Sequence, residues 1–251
     1  MSGISAVMIT RDAESHLSEV LASLAACDEV VILDSGSGDR TAQIAEAAGV
    51  RWFSHPFDGF GPQKRRAVEL ASNDWVLAVD SDEVLDGEAG RAIAGMTWDV
   101  QDPRDCWRLR RRPFVGRREI RHGHWVPDRV VRLFNRRYHT FDAAVIHEVV
   151  IPTGSVHILP GSLLHYSYAD LTELFRADFH RLKAEQYRSG GRRSGPAGLT
   201  VRASWAFVHS LLLRRGFLDG PAGVVIALAA AARSTVGLAL ASEERVNQRE
   251  R

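Results

Sequence analysis

A chain of 251 residues, 45% hydrophobic and 25% charged, can bury one large core or one core with an appendage. Its formal net charge of +1 sets up no overall positive field, which excludes a general duplex nucleic-acid binder. Two cysteines, Cys27 and Cys106, sit in unrelated contexts, which excludes a disulfide framework and points to a reducing compartment.

The first residues enter an apolar run with no basic leader, so Ile4–Thr10 is expected to be a strand of a cytoplasmic protein, not a signal peptide. Residues 14–26 then place Leu17, Val20, Leu21 and Leu24 at helical spacing. A strand at 29–33, a helix at 41–48, a short strand at 50–53, a helix at 63–71 and a strand at 75–79 complete a βαβαβαβ alternation. Such alternation with short connections predicts a mostly parallel central sheet covered by helices, with right-handed crossovers.

After Glu83 the pattern changes, and shorter strands at 107–111, 130–134 and 145–150 predict a mixed second half of the sheet. From Leu171 the chain reads as helical to about Leu240, broken by a Gly-, Arg-, Ser- and Pro-rich stretch at 189–198, and the charged residues 243–251 are expected to fray. The apolar run 224–232 meets Arg233, Ser234 and Thr235 well short of the roughly 20 residues of a spanning helix, which leaves peripheral membrane contact open. The segment from Arg108 to Arg137 is dense in arginine. It suits an anionic acceptor or lipid headgroups, unless arginine merely replaces lysine in a chain whose lysines are Lys64 and Lys183.

Two apolar runs end in acid: Asp34-Ser35-Gly36-Ser37-Gly38-Asp39-Arg40-Thr41, and Asp80-Ser81-Asp82-Glu83. In an open parallel sheet the carboxyl ends of neighbouring strands meet in one ligand-binding crevice. Asp80 and Asp82, two apart on an extended chain, face the same side and can share a Mg²⁺ or Mn²⁺ that neutralises a diphosphate. A solvated loop or a helix cap explains most isolated Asp-x-Asp triplets, and the strand context is what raises this one. Asp34 can accept from a base imide or a ribose hydroxyl, and Gly36 lets backbone approach closely. Asp39 can equally cap the helix that begins near Thr41.

With Ile4 to Glu14 added, these motifs make the chain resemble a family 2 glycosyltransferase with a GT-A type nucleotide-sugar-binding fold. Phe57 to Arg65, Trp125-Val126-Pro127-Asp128, Arg132-Leu133-Phe134, His147-Glu148 and Gly216 to Gly220 extend the resemblance to the bacterial lipopolysaccharide-core glucosyltransferase branch. It implies an α/β catalytic domain at 1–170, with a donor half at 1–95 and an acceptor half at 96–170, and a C-terminal helical extension at 171–251. Thr10, Asp34 and Asp39 would then lie at the donor, Lys64 or Arg65 near its diphosphate, and Asp82 with Asp80 at the metal, with His165 as a third ligand unless it is an ordinary interior histidine. Ser35 stands where many relatives carry a second acid, and Asp12 where they carry Asn.

Inverting transfer to a sugar hydroxyl needs a general base. Glu148 is the first candidate and Asp128 the second, the competing reading being that Glu148 pairs with Arg129 or Arg132. Trp125, Arg132 and His147 are expected at the acceptor. His122 and His124 have a spacing that can bind metal, with loop polarity or acceptor contact as the plainer role. The expected reaction moves glucose from UDP-glucose to a lipopolysaccharide core or related glycolipid at the inner face of the cytoplasmic membrane. Transfer to polyprenyl phosphate, nucleotidyl transfer and glycan binding without catalysis are the alternatives.

Overall fold

The computed structural model describes residues 3–144, 148–175, 180–181, 184–185, 187–188 and 194–249. They form two compact units, one of residues 1–112 and 128–166, the other of 113–127 and 167–251.

In the first unit β1 (Ile4–Thr10), α1 (Leu17–Ser23), β2 (Glu29–Asp34), α2 (Thr41–Ala47), β3 (Arg51–Ser54), α3 (Phe60–Glu69) and β4 (Trp75–Ala78) follow the expected alternation. Then come β5 (Glu83–Leu85), α4 (Gly87–Ala94), β6 (Cys106–Val115), a two-residue β7 (Arg118–Glu119), β8 (Asp128–Asn135) and β9 (Val156–Tyr168). The sheet order is β3-β2-β1-β4-β8-β6-β9-β5, with β7 on β6. The first four strands are parallel, whereas the β4–β8, β6–β8 and β5–β9 pairs are antiparallel, so the α/β sheet is mixed.

The period of two along each strand explains why both faces of the parallel half are buried. Ile4, Ala6 and Met8 of β1 and Trp75 and Leu77 of β4 pack with Leu17, Val20 and Leu24 around α1. Val7 and Val76, one residue out of phase, pack with Ala67 and Val68 of α3 on the opposite face.

Four expectations change. The first helix begins at Leu17, because residues 11–16 form the loop after β1. The expected strand at 145–150 falls partly outside the described residues, and its described end forms one isolated bridge, Phe141 with Val150. The longest strand, β9, was not expected, since Pro160-Gly161 reads locally as a turn. Gly161 sits at φ 87°, and a β-carbon there would lie 2.3 Å from the amide nitrogen of Ala89, so the strand runs close against the start of α4. Finally, the helix begun at Gly220 does not stop at Arg233.

In the second unit Phe114 and Val115 pair with Glu119 and Arg118, and Val115, Ile120 and Leu174 pack on Ala222, Ile226 and Ala229. The last three belong to α6 (Gly220–Arg249), preceded by α5 (Pro196–Val208), a π-helical turn at His209–Leu213 and a 3-10 turn at Gly216–Asp219. The stretch Gly216–Ser242 is long and apolar enough to cross a membrane by length and composition, which corrects the expectation that Arg233 to Thr235 cut the apolar run short.

Candidate active site

Parallel pairing aligns the carboxyl ends of the first strands, with Thr10 opposite Asp34 and Asp34 opposite Ser54. The buried Asp34 carboxylate accepts from the Thr10 hydroxyl (2.9 Å), the Ser37 hydroxyl (2.5 Å) and the N–H groups of Gly36 (2.8 Å) and Ser37 (2.9 Å). Burial alone would raise its pKa, but the donors from Ser37, Thr10 and Gly36 outweigh that and hold it below the usual carboxylate range. Asp34 and Thr10 thus shape the loop after β2.

Asp39 is engaged in the same way. Its Oδ1 accepts from the N–H (2.9 Å) and hydroxyl of Thr41, and its Oδ2 accepts from the N–H of Glu14 (2.9 Å). The side chain therefore ties the start of α2 to the loop before α1.

The second acidic run is the centre of a larger charge cluster. Asp80, just beyond β4, is bound by Lys64 of α3 through one oxygen and by Arg132 of β8 through the other. Lys64 is buried and also holds Glu148, Nζ to Oε1 2.6 Å, with its ammonium 5.5 Å from the Phe141 ring centroid. A close approach makes this meeting possible. Gly61 N–H donates to the Ala144 carbonyl (3.0 Å), and a β-carbon at Gly61 would lie 2.3 Å from the Asp142 carbonyl oxygen, so only glycine lets the loop before Glu148 lie on α3.

Arg132 Nη2 also reaches Oε1 of the fully buried Glu83 (2.6 Å), whose Oε2 accepts from the Asp80 N–H (3.1 Å). Arg111 Nη1 lies 3.4 Å from Glu83 Oε1, while its Nη2 and Nε bind Asp128 at 2.6 and 2.7 Å. Burial would raise the Asp80 pKa, yet the charges of Arg132 and Lys64 overcome it and keep the carboxyl ionised far below the usual range. Arg132 is driven the opposite way from what burial alone would do, because Asp80 and Glu83 hold its charge.

On the other side of the triplet, antiparallel pairing sets Glu83 of β5 opposite His165 of β9. His165 Nε2 lies 3.4 Å from Asp82 Oδ2, and Asp82's carbonyl accepts from the Tyr166 N–H (2.9 Å). Burial would lower the His165 pKa, but the hydrogen bond and charge of Asp82 raise it on balance. No group of three or more histidines, cysteines or acids converges among the described residues. An oxygen and an imidazole nitrogen at this spacing nonetheless fit a divalent cation that completes its shell with water or phosphate oxygens.

The expected residues therefore separate. Lys64, Asp80, Arg132, Glu148 and, through Arg111, Asp128 share one network, and Asp82 adjoins it with His165. Arg65 does not join it; its Nη2 donates to the Phe141 carbonyl (2.8 Å). Arg132, expected at the acceptor, is a buried clamp on two carboxylates, and Glu148 pairs with Lys64 and not with Arg129 or Arg132. His147 lies outside the described residues.

Trp125 belongs to the second unit and stacks on Tyr168, centroids 5.6 Å apart. His122 Nδ1 lies 3.2 Å from Asp219 and His124 Nδ1 3.3 Å from the Ser210 hydroxyl, so the two imidazoles have separate partners. Glu83 and Arg111 join this network without being among the candidate site residues of the sequence. Their only signal was a charge inside a run of strand-like residues.

A parallel-to-mixed sheet with acids at the ends of its parallel strands is the architecture of a nucleotide-sugar-dependent transferase of GT-A type. The model of the family described as glycosyl transferase family 2 matches residues 5–141, and the chain belongs to that family. It is 33% identical over 204 residues to the lipopolysaccharide core biosynthesis glycosyltransferase LpsC of Rhizobium meliloti (strain 1021), covering 76% of this chain and 73% of that one. An uncharacterized glycosyltransferase of Rickettsia felis is 27% identical over 238 residues, covering 90% of this chain and 84% of the relative. Among solved structures, a glucosyl-3-phosphoglycerate synthase from Mycobacterium tuberculosis in complex with Mn²⁺, UDP-glucose and phosphoglyceric acid matches with a TM-score of 0.30 at 32% identity. That match covers 33% of this chain and only about a third, 34%, of the synthase.

Proposed function

We propose that the chain is an inverting, divalent-metal-dependent glycosyltransferase that moves glucose from UDP-glucose onto a sugar of a lipopolysaccharide core or a related glycolipid, working peripherally at the inner face of the cytoplasmic membrane. The observation that carries this reading is the buried Lys64, which bridges Asp80 at the end of β4 and Glu148. Residues 1–95 form the donor half of the catalytic domain and 96–170 its acceptor half. The sequence resemblance to lipopolysaccharide-core glucosyltransferases supports the donor sugar and the acceptor, and the name of the Rhizobium relative supports the acceptor alone.

Donor binding begins at the loop that Asp34 and Thr10 organise. A diphosphate entering beside Asp80 competes for the Lys64 ammonium and draws it from Glu148. Glu148 Oε1, freed of its cation, then accepts the proton of the acceptor hydroxyl. The hydroxyl oxygen bonds to the anomeric carbon as the bond from that carbon to the diphosphate oxygen breaks, so the leaving electron pair stays on the nucleoside diphosphate and the configuration inverts. Arg132 and Glu83 hold Asp80 in place throughout. Asp82, with His165 and Asp80 beside it, would hold a Mg²⁺ or Mn²⁺, which would supply charge neutralisation for the departing diphosphate.

Thermal shift of the full chain against UDP-sugars and GDP-sugars, with and without Mn²⁺, tests the donor, since a ligand that binds only the folded state raises apparent stability. Stabilisation by UDP-glucose with Mn²⁺ is expected, and no response to any pair sinks the reading. In transfer assays Glu148→Gln should lose turnover by about 10²- to 10⁴-fold while keeping that thermal response, and Asp128→Asn should lose less. The reverse order would move the base to Asp128.

A further inference from the structure

We propose that the second unit docks onto an anionic lipid bilayer by lying in its interfacial layer without spanning it, inserting the outer faces of α5 and α6 and the turn between them. This deepens the glycolipid reading, on which its place in the reaction rests, by naming the surface that meets the membrane. The exposed side chains carry it. On α5 and the π turn, Val201 (68% exposed), Trp205 (62%), Val208 and Leu212 recur at helical spacing, and no residue of α5 is buried. Pro221, Val224 and Leu228 continue an exposed apolar face on α6, and Leu213 (60%), Phe217 and Leu218 project from the turn. A helix of a soluble domain turns polar residues outward, so an apolar outer face on two packed helices marks an interaction surface.

Charge selects the occupant. Between residues 186 and 242 the sequence has seven arginines and one acid, Asp219, which is buried under the backbone N–H groups of Arg121 and His122. Arg202, Arg214 and Arg215 are exposed beside the apolar stripe. A second copy of the chain would bring arginine against arginine, whereas anionic headgroups neutralise it while acyl chains take the leucines and Trp205 sits at the boundary. Spanning is disfavoured although Gly216–Ser242 has the length and composition for it. The inner face of α6, with Ala222, Ile226 and Ala229, is packed on Val115, Ile120 and Leu174, and crossing would strip it from that core.

The test is co-sedimentation of the full chain with vesicles of phosphatidylcholine alone and of phosphatidylcholine mixed with phosphatidylglycerol. Binding to the anionic vesicles, weakened by salt and released by alkaline wash, is expected. Leu213→Glu with Phe217→Glu should abolish it, and Arg214→Ser with Arg215→Ser should weaken it about fivefold per arginine on anionic vesicles only. No binding to either vesicle, unchanged binding by the glutamate variant, retention after alkaline wash, or a dimer in size exclusion that the glutamate variant dissociates would each overturn the proposal. The thermal response to UDP-glucose with Mn²⁺, measured on the same variants without vesicles, separates the two readings. Its retention shows the chain folded and the donor site intact, so a loss of vesicle binding then belongs to this surface alone.

Discussion

The two units depart from the usual distribution of charged and apolar residues in opposite directions. Charged residues are almost never fully buried unless paired, and large apolar residues usually are buried. In the first unit Glu83 is 0% exposed, Arg132 4% and Lys64 6%, all in one ion-paired network at the end of β4. In the second, apolar side chains of α5 and the turn stand open, and the sequence from 186 to 242 holds one acid, Asp219. Burying charge costs several kcal/mol per ion in desolvation, and a chain tolerates it where the geometry serves chemistry. Exposing apolar surface forgoes burial energy, and a chain tolerates that where another phase supplies it.

The contrast is broken most directly at Arg132. Arg132→Met leaves Asp80 and Glu83 without their shared cation and should cost about 3 to 5 kcal/mol, read as a lower urea midpoint at unchanged slope. A loss below about 1 kcal/mol would mean that water already reaches the cluster.

Titration should next divide the units by pH. The Glu29 carboxyl is lowered to about 2; burial opposes the shift, but donors from Ser5, Ser72 and Arg51 outweigh it. Its stabilising contribution is complete above the unfolded value near 4.5 and is lost as pH falls toward about 2. His124 is lowered to about 4 by burial first, then by Arg233 and His209. It favours the neutral ring, so stability in the second unit is full above about 6.5 and declines as pH falls toward about 4. Glu29→Gln should flatten the acid limb of the first unit, and His124→Gln the earlier limb of the second, each by about 1 to 2 kcal/mol in unfolding followed by unit-specific hydrogen exchange. Coincident loss of both limbs in either variant would contradict the separation.

The smallest effect belongs to the open face. Trp205→Ser in vesicle-free solution should change unfolding free energy by no more than about 0.5 kcal/mol. A large loss would place Trp205 in a core and erase the difference between the units.

The parallel half was legible because its signals are local. β1 to β4 and the helices between them follow from apolar periodicity, and Asp34 and Asp80 are visible as acids that close apolar runs. The bonds from the Thr41 N–H and hydroxyl to Asp39 join residues two apart, a pairing that local sequence can suggest. The antiparallel half was not legible in the same way, since Pro160-Gly161 disguised the middle of β9 and the three residues of β5 carry too short a pattern to read.

By itself the sequence determined the order of the first elements, the acidic strand ends and, through its motifs, the family. Only the tertiary structure decided which charges meet. Lys64 finds Asp80 and Glu148, and Arg132 finds Asp80 and Glu83, because β8 lies against β4 and the loop after Asp142 lies on Gly61. Periodicity reports which face of its own element a residue occupies. Partners separated by tens of residues depend on which elements become neighbours, and no local pattern encodes that.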